Sequence, residues 1–195
     1  MIGENQSGEL SIVAAAFVTS QKILIVGFMG TGKSTVAREL ARKLNCAAVD
    51  LDEWITRDEN RSPRQIIESD GEAAFRILET RALRKVFEEP TLRIIAAGGG
   101  AWTMAENRRL AQQQGAFSVW LDAPFAQCWE RIRADETRPL ARTREAAERL
   151  YAERRPIYEL ADARIVVSPN ESAEDVASAI VYKISQRMTK TADDK

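Results

Sequence analysis

One glycine-rich loop constrains the fold of this chain more than any other feature. Residues 27–34 read GFMGTGKS and match the phosphate-loop pattern G-x-x-x-x-G-K-[ST]. The apolar run from Lys22 to Gly27 precedes the loop and is typical of a buried strand. Lys33 to Leu44 follows with apolar residues at helical spacing. A strand that passes into a helix through such a loop indicates an α/β fold with a phosphate site at the helix N-terminus.

The residue types in this loop have distinct chemical uses. Its glycines let successive backbone N–H groups face phosphate oxygens, and the following helix adds the positive end of its dipole. Lys33 is placed to reach the β- and γ-phosphates of a nucleotide, and the Ser34 hydroxyl is placed to ligate Mg²⁺. A chance glycine-rich turn is the alternative, but the strand before the loop and the helix after it favour a nucleotide site.

Four further strands are predicted, and helical segments separate them. This alternation indicates βαβ units with right-handed crossings and a parallel sheet. At 195 residues, 45% of them hydrophobic, the chain suits one core. We therefore expect a single P-loop domain over residues 21–195, after an N-terminal extension over residues 1–20. The predicted strands are Ala47–Asp50, Leu92–Ala97, Ala116–Leu121 and Ala163–Val167.

Two segments lie outside this regular alternation. Residues 52–80 contain a helix start at Ser62, followed by a proline and by Gln65, which completes a capping box. Residues 133–147 are charged, lack an apolar stripe and contain Arg138. A core cannot hold such a segment, so we expect a mobile lid there.

Two aspartates, Asp50 and Asp52, follow the second predicted strand at the edge of the sheet where ligands bind. Strand alternation would place both carboxylates on one face. Asp50 would then support Mg²⁺, and Asp52 would orient an attacking hydroxyl and accept its proton. The alternative is a helix N-cap followed by a solvated aspartate. The neighbouring phosphate loop favours the functional interpretation.

The helix predicted over residues 72–88 carries a carboxylate on its apolar face. Glu79 lies in the same arc as Phe75 and Leu78, and Arg76 lies at the edge of that arc. A carboxylate that faces a core must be paired or lie in a pocket. Two interpretations are equally open: an intrahelical ion pair of little energetic consequence, or a carboxylate that orients Arg76 toward an anionic substrate.

Gly98-Gly99-Gly100 follows the third predicted strand directly. Three glycines at this edge let backbone N–H groups approach a ligand closely, although a flexible turn is the alternative. Arg131, Arg138 and Arg154 are weak signals individually, because arginine is common at protein surfaces.

The composition argues against several classes of function. Lysine and arginine total 28 against 29 acidic residues, and a net charge of −1 does not suit a protein that coats nucleic acid or an anionic membrane. The absence of histidine removes every imidazole-based mechanism. No run reaches membrane-spanning length. Cys46 and Cys128 lack metal-type spacing, so we expect reduced thiols in the cytoplasm.

Taken together, the motifs resemble the shikimate kinase family over about residues 22–167. The resemblance implies a three-layer α/β/α fold of the nucleoside monophosphate kinase type, with a five-stranded parallel sheet in the order 2-3-1-4-5. It also implies Mg²⁺-dependent transfer of phosphate from ATP to the 3-hydroxyl of shikimate, in aromatic amino-acid biosynthesis, by a monomer without nucleic-acid or membrane partners. The matching motifs are the loop through Thr35, D-x-D at Asp50 and Asp52, G-E-x-x-F-R-x-x-E at Gly71–Glu79, G-G-G-A at Gly98–Ala101, R-P-L at Arg138–Leu140 and R-x-P-x-Y at Arg154–Tyr158.

The resemblance further implies a role for each matching residue. The expected catalytic residues are Lys33, Asp52 and Arg138, and the expected Mg²⁺ ligands are Ser34 and Asp50. The expected shikimate contacts are Asp52, Arg76, Gly99 and Arg154, with Glu79, Gly98 and Gly100 close by. The expected ATP-binding residues are Gly30, Thr31, Gly32, Lys33, Ser34, Thr35, Arg131 and Arg138.

Four positions depart from the family pattern. Thr56 replaces an acidic residue, Asn60 a glycine, Trp102 a smaller residue, and Ala141 a leucine of the lid. None of these changes removes a chemical group named above, so they bear on acceptor affinity and lid packing and leave the reaction class unchanged.

Two alternatives stay open at this point. A kinase of the same fold could act on gluconate or a nucleoside monophosphate, although two arginines and a triglycine suit a carboxylated polyol better than a nucleobase. A nucleotide-binding regulatory protein could have lost catalysis, although the retained lysine, aspartate and lid arginine argue against it.

Overall fold

The computed structural model describes residues 17–18, 20–133 and 143–193, with side chains up to residue 188. Within these residues, five parallel strands form one sheet in the order β2-β3-β1-β4-β5. The order implied by the family resemblance is confirmed. The strands are β1 (Ile23–Val26), β2 (Ala47–Asp50), β3 (Leu92–Ala96), β4 (Phe117–Asp122) and β5 (Ala163–Val166).

Helices connect the strands and cover both faces of the sheet. The helices are α1 (Lys33–Leu44), α2 (Leu51–Glu59), α3 (Pro63–Asp70), α4 (Glu72–Glu88), α5 (Ala105–Gln113), α6 (Phe125–Ile132), α7 (Arg144–Tyr158) and α8 (Ala173–Asp193), with a 3₁₀ turn at Ala101–Thr103. Helices α1 and α8 pack against each other, and α4 packs against β3, the 3₁₀ turn and α5. Right-handed crossings place these two groups on opposite faces, which gives three layers.

The central strands are apolar because both faces of the sheet are covered. Every residue of β1 is buried, as expected for a parallel strand between two helical layers. Strand β4 extends to Asp122, one residue beyond the predicted end. Phe17 and Val18, within the predicted extension, are buried, and Phe17 makes an edge contact with Phe117 at 5.7 Å between ring centroids. The division into extension and domain stays a prediction.

Local sequence signals explain the substrate-side segment. The Ser62 side chain accepts the backbone N–H of Gln65 at 3.3 Å, and the Gln65 side chain accepts that of Ser62 at 2.8 Å, so the predicted capping box is confirmed. Asn60 ends α2 with φ of 52°. Asparagine tolerates this left-handed conformation, so the departure from glycine preserves the chain direction.

None of the helices described in residues 17–133 and 143–193 is long and apolar enough to cross a membrane.

Candidate active site

The phosphate loop joins the C-terminal end of β1 to the N-terminus of α1. Gly30 and Gly32 have φ values of 79° and 91°, which glycine adopts without strain. A Cβ atom on Gly30 would lie 2.7 Å from the carbonyl oxygen of Cys128, so a side chain there would clash. Gly32 is the N-cap of α1 and has no side chain with which to cap it. The first N–H groups of α1 therefore remain available to phosphate oxygens.

Lys33 and Arg131 border this loop from two helices. Lys33 is 8% exposed and donates through Nζ to the carbonyl oxygen of Phe28 at 2.8 Å, so its ammonium group folds over the loop. Arg131, in the last turn of α6, donates through Nη1 to the carbonyl oxygen of Gly30 at 3.0 Å. Both side chains line a cavity of about 240 Å³ with Thr35 and other loop residues. Arg131, expected at the nucleotide from the resemblance alone, thus lies against the phosphate loop.

Asp50 ends β2 and bonds in two directions. Its Oδ1 accepts the backbone N–H groups of Asp52 at 2.8 Å and of Glu53 at 3.2 Å, which makes Asp50 the N-cap of α2. The alternation argument for Asp50 and Asp52 is therefore wrong. The capping bonds turn the chain into a helix at Leu51, so Asp52 lies in the first helical turn and not on the strand.

The second oxygen of Asp50 connects this cap to the phosphate loop. The Ser34 hydroxyl donates to Asp50 Oδ2. A hydroxyl and a carboxylate are the hard oxygen donors that Mg²⁺ prefers, and proteins usually hold this ion with one or two carboxylates beside substrate phosphates. Ser34 and Asp50 therefore fit the predicted ion.

Gly98 lies beside two carboxylates, one from α2 and one from α4. A Cβ atom on Gly98 would lie 2.6 Å from Glu79 Oε1 and 2.8 Å from Asp52 Oδ1. Any other residue at position 98 would displace these oxygens, so the glycine is required by close approach. The turn thus brings Asp52 and Glu79 together although they are 27 positions apart in the chain.

The other two glycines contact the phosphate loop and an arginine. A Cβ atom on Gly99 would lie 3.2 Å from the backbone nitrogen of Met29 in the loop. A Cβ atom on Gly100 would overlap the guanidinium of Arg76. The triglycine turn is therefore a surface shared by the nucleotide loop and the Arg76 side chain.

Two carboxylates of α4 hold Arg76. Glu79 Oε2 accepts Nη1 of Arg76 at 2.8 Å, and Glu72 Oε1 accepts Nε at 3.2 Å and Nη2 at 2.8 Å. The pair of Arg76 and Glu79 is intrahelical, but their side chains are only 11% and 0% exposed. The two residues are therefore not a weak surface ion pair. The geometry favours the interpretation in which Glu79 orients Arg76.

The second oxygen of Glu79 has no such partner. Glu79 Oε1 is buried, accepts no hydrogen bond from the described residues, and lies near the Asp52 carboxylate beside Gly98. Burial raises the pKa of Glu79 to about 7 despite the attraction of Arg76, and the neighbouring Asp52 carboxylate adds to the rise. Near neutral pH this carboxyl is therefore poised between its two protonation states.

Helix α7 brings Arg154 and Tyr158 to the same turn. Arg154 Nη1 donates to the carbonyl oxygen of Gly99 at 3.2 Å, and the Tyr158 hydroxyl donates to the same oxygen. Burial raises the pKa of Tyr158, so its hydroxyl keeps the proton that it donates. Sequence reasoning assigned Tyr158 no role. The available signal was its place at the end of the R-x-P-x-Y motif.

Two further residues near the site were not predicted. Asp122 ends β4 and is buried, and Arg155 of α7 donates to it. A polar residue at the carboxyl end of a parallel strand was the signal for Asp122, as it was for Asp50.

Arg138 and most of the predicted lid, residues 134–142, lie outside the described residues, so the role of Arg138 stays a prediction.

Comparison with known protein sequences gives one consistent result. A sequence model of the shikimate kinase family matches residues 29–185. The shikimate kinase of Ruegeria pomeroyi is 34% identical over 180 residues, which cover 91% of each chain. The shikimate kinase of Persephonella marina is 38% identical over 146 residues, which cover 74% of this chain and 88% of the relative.

Solved structures agree with the sequence comparison. The shikimate kinase from Acinetobacter baumannii in complex with shikimate has a TM-score of 0.82 at 34% identity, and the match covers 89% of this chain and 98% of that one. A gluconokinase from Sinorhizobium meliloti has a TM-score of 0.59 at 14% identity, which shows a shared fold alone.

Proposed function

Because the chain belongs to the shikimate kinase family, we propose that its phosphate loop binds ATP and that its triglycine turn binds shikimate. The enzyme transfers the γ-phosphoryl group of ATP to the 3-hydroxyl of shikimate and yields shikimate 3-phosphate and ADP. The observation that carries the site assignment is the contact between the two subsites, because Gly99 packs against the backbone of Met29 in the phosphate loop. An acceptor on the triglycine turn therefore lies beside the phosphates.

The acceptor subsite has the charges that a carboxylated polyol requires. Arg76 lies over Gly100, and Arg154 bonds to Gly99 on the same turn. Planar guanidinium groups bind carboxylates through paired hydrogen bonds, which a nucleobase does not offer in the same form. We assign the shikimate carboxylate to these two arginines and its hydroxyls to the carboxylate side of the turn.

Asp52 is the acidic group best placed to act on the attacking hydroxyl. Its Oδ1 lies beside Gly98, 2.8 Å from the position that a Cβ atom would take there, and Asp52 belongs to the first turn of α2. In phosphoryl transfer the protein mainly positions the reactants and neutralises charge. Asp52 would orient the hydroxyl and accept its proton as the new P–O bond forms and the bond to the ADP oxygen breaks.

The nucleotide side of the site supplies positive charge. Lys33 and the N–H groups of the loop and of α1 would bind the phosphate oxygens, and Arg131 would flank them. Ser34 and Asp50 would hold Mg²⁺, which when bound neutralises phosphate charge. Arg138 would close over the transferring group from the lid.

We place the enzyme in the cytoplasm, because Cys46 and Cys128 are free thiols that a reducing compartment preserves.

The function is tested by ADP release with shikimate, gluconate, AMP and CMP as separate acceptors. We expect rapid ADP release with shikimate and with none of the other three acceptors. The Lys33→Ala variant serves as the blank for ATP hydrolysis by contaminating enzymes. Methyl shikimate, in which the carboxylate charge is removed, should have a KM raised about 10-fold or more, since it loses a charge-assisted pair with the arginines. Rapid release with gluconate or a nucleoside monophosphate, and none with shikimate, would overturn the proposal.

A further inference from the structure

A buried carboxylate at the end of β4 receives two arginines from different elements. Asp122 is 6% exposed. Arg155 of α7 donates to both of its oxygens, Nη1 to Oδ1 at 2.8 Å and Nη2 to Oδ2 at 3.1 Å. Arg164 of β5 donates through Nε at 2.8 Å, and through Nη2, to Oδ2. One carboxylate thus ties α7 to the edge strand of the sheet.

An aromatic pair continues from this cluster toward the active site. The guanidinium carbons of Arg155 and Arg164 lie 5.2 Å and 5.1 Å from the ring centroid of Trp120, within cation–π range. Trp120 stacks on Tyr158 with ring centroids 6.2 Å apart and an interplanar angle of 24°. The Tyr158 hydroxyl in turn donates to the carbonyl oxygen of Gly99.

Two neighbouring residues of helix α7 bond in different directions, one to the sheet and the other to the triglycine turn. Arg155 bonds to Asp122, and the preceding residue, Arg154, bonds to the triglycine turn. Arg155 also donates to the hydroxyl of Tyr151 at 3.2 Å, and that hydroxyl donates to the carbonyl oxygen of Ala123 at 2.9 Å. These bonds fix the rotation and height of α7 near Arg154.

Stability alone is a poor reason for such a cluster. Burial of a carboxylate has a desolvation cost that ion pairing offsets only in part, so a buried ion pair is weak support for stability. What the cluster does supply is orientation, because a forked guanidinium on a carboxylate defines a direction as well as a distance. In a site for phosphoryl transfer, a misplacement of about 1 Å costs up to 100-fold in activity.

We propose that Asp122, Arg155 and Arg164 form a positioning clamp that holds α7 so that Arg154 faces the acceptor. The inference rests on the proposed function, in which Arg154 binds shikimate. None of the three clamp residues touches the acceptor. They act through Arg154, which their bonds to α7 hold in place.

The clamp is tested with Arg155→Ala, whose side chain is 36% exposed in the parent, so that its removal leaves no buried cavity. We expect the KM for shikimate to rise about 10-fold, with the KM for ATP and kcat within about twofold of the parent, because a bond that serves only acceptor binding affects KM. Arg155→Lys keeps the charge and loses the fork, so an intermediate KM is expected. Arg149→Ala, an exposed arginine on the same helix, is the matched control and should match the parent.

A double variant separates positioning from general loosening of the fold. In an Arg154→Ala background, Arg155→Ala should add less than twofold to the KM for shikimate, since the residue through which it acts is gone. A full additional increase there, an equal rise in the KM for ATP, or an unchanged KM in Arg155→Ala would overturn the clamp. If Arg154→Ala itself leaves the KM for shikimate unchanged, the assignment of Arg154 to shikimate has failed, which is a different result.

Discussion

Glu79→Gln should make the protein more stable at neutral pH while it weakens acceptor binding. Glu79 is fully buried, one of its oxygens has no partner among the described residues, and the Asp52 carboxylate lies near it beside Gly98. Glutamine has nearly the same shape and can still accept the bond from Arg76 Nη1. It carries no charge at any pH, so the cost of burying a carboxylate disappears.

The magnitude follows from the pKa of Glu79 in the two states. The value rises from 4.5 in the unfolded chain to about 7 in the folded protein. A shift of about 2.5 units corresponds to about 3 kcal/mol of stability. Below about pH 4.5 the carboxyl is protonated in both states and costs nothing. As the pH rises from about 4.5 to about 7, the carboxyl ionises in the unfolded state but stays protonated in the folded state, so the wild type loses stability. Above about pH 7 both states are ionised and the loss stays constant at about 3 kcal/mol.

The assay is urea unfolding of the wild type and Glu79→Gln between pH 5 and pH 8. We expect the free energy of unfolding of the variant, relative to the wild type, to rise by about 2–3 kcal/mol over this range. Glu72→Gln is the matched control, because Glu72 also bonds to Arg76 but its side chain is 46% exposed. Its difference from the wild type should be under about 1 kcal/mol.

A constant difference between the wild type and Glu79→Gln across this range would refute the reasoning. So would the opposite trend, in which the wild type gains stability relative to the variant as the pH rises. That result would mean that the attraction of Arg76 outweighs burial and keeps Glu79 ionised in the folded protein.

The remaining predictions concern catalysis. The same Glu79→Gln change should raise the KM for shikimate, and a double-mutant cycle with Arg76→Lys should be non-additive, whereas strict additivity would show independent residues. Lys33→Ala should lower turnover by about 10³-fold or more with an unchanged circular dichroism spectrum; retained turnover in the folded variant would remove the lysine from the reaction. Asp52→Asn should lower kcat by about 10²–10⁴-fold with ATP binding unchanged, and a loss of nucleotide affinity at constant kcat would contradict its assigned role. Arg138→Ala should lower kcat by about 10²-fold or more with a smaller effect on shikimate binding, which initial rates at saturating substrates would check.

The parts of this protein that depend on local chain properties could be read from its sequence. The phosphate loop, the buried strand β1 and helix α1 were predicted to within a residue, because glycine spacing and apolar periodicity act over short distances. The capping box at Ser62 is equally local. Asp50 shows the limit of such rules. Strand alternation placed Asp50 and Asp52 on one face, which was wrong. The N-cap at Asp50, which the sequence offered only as the alternative, ends the strand and places Asp52 in a helix.

The parts that depend on distant residues required the folded chain. Helical spacing placed Glu79 on an apolar face. Burial and the nearby Asp52 carboxylate, which both raise the pKa of Glu79, arise from the packing of α2 and α4 beside Gly98. Asp122 carries no motif, and its two arginines come from positions 33 and 42 residues further along the chain. Burial, desolvation and long-range pairing are properties of three-dimensional neighbours, and no pattern along one strand or helix encodes which neighbours those are.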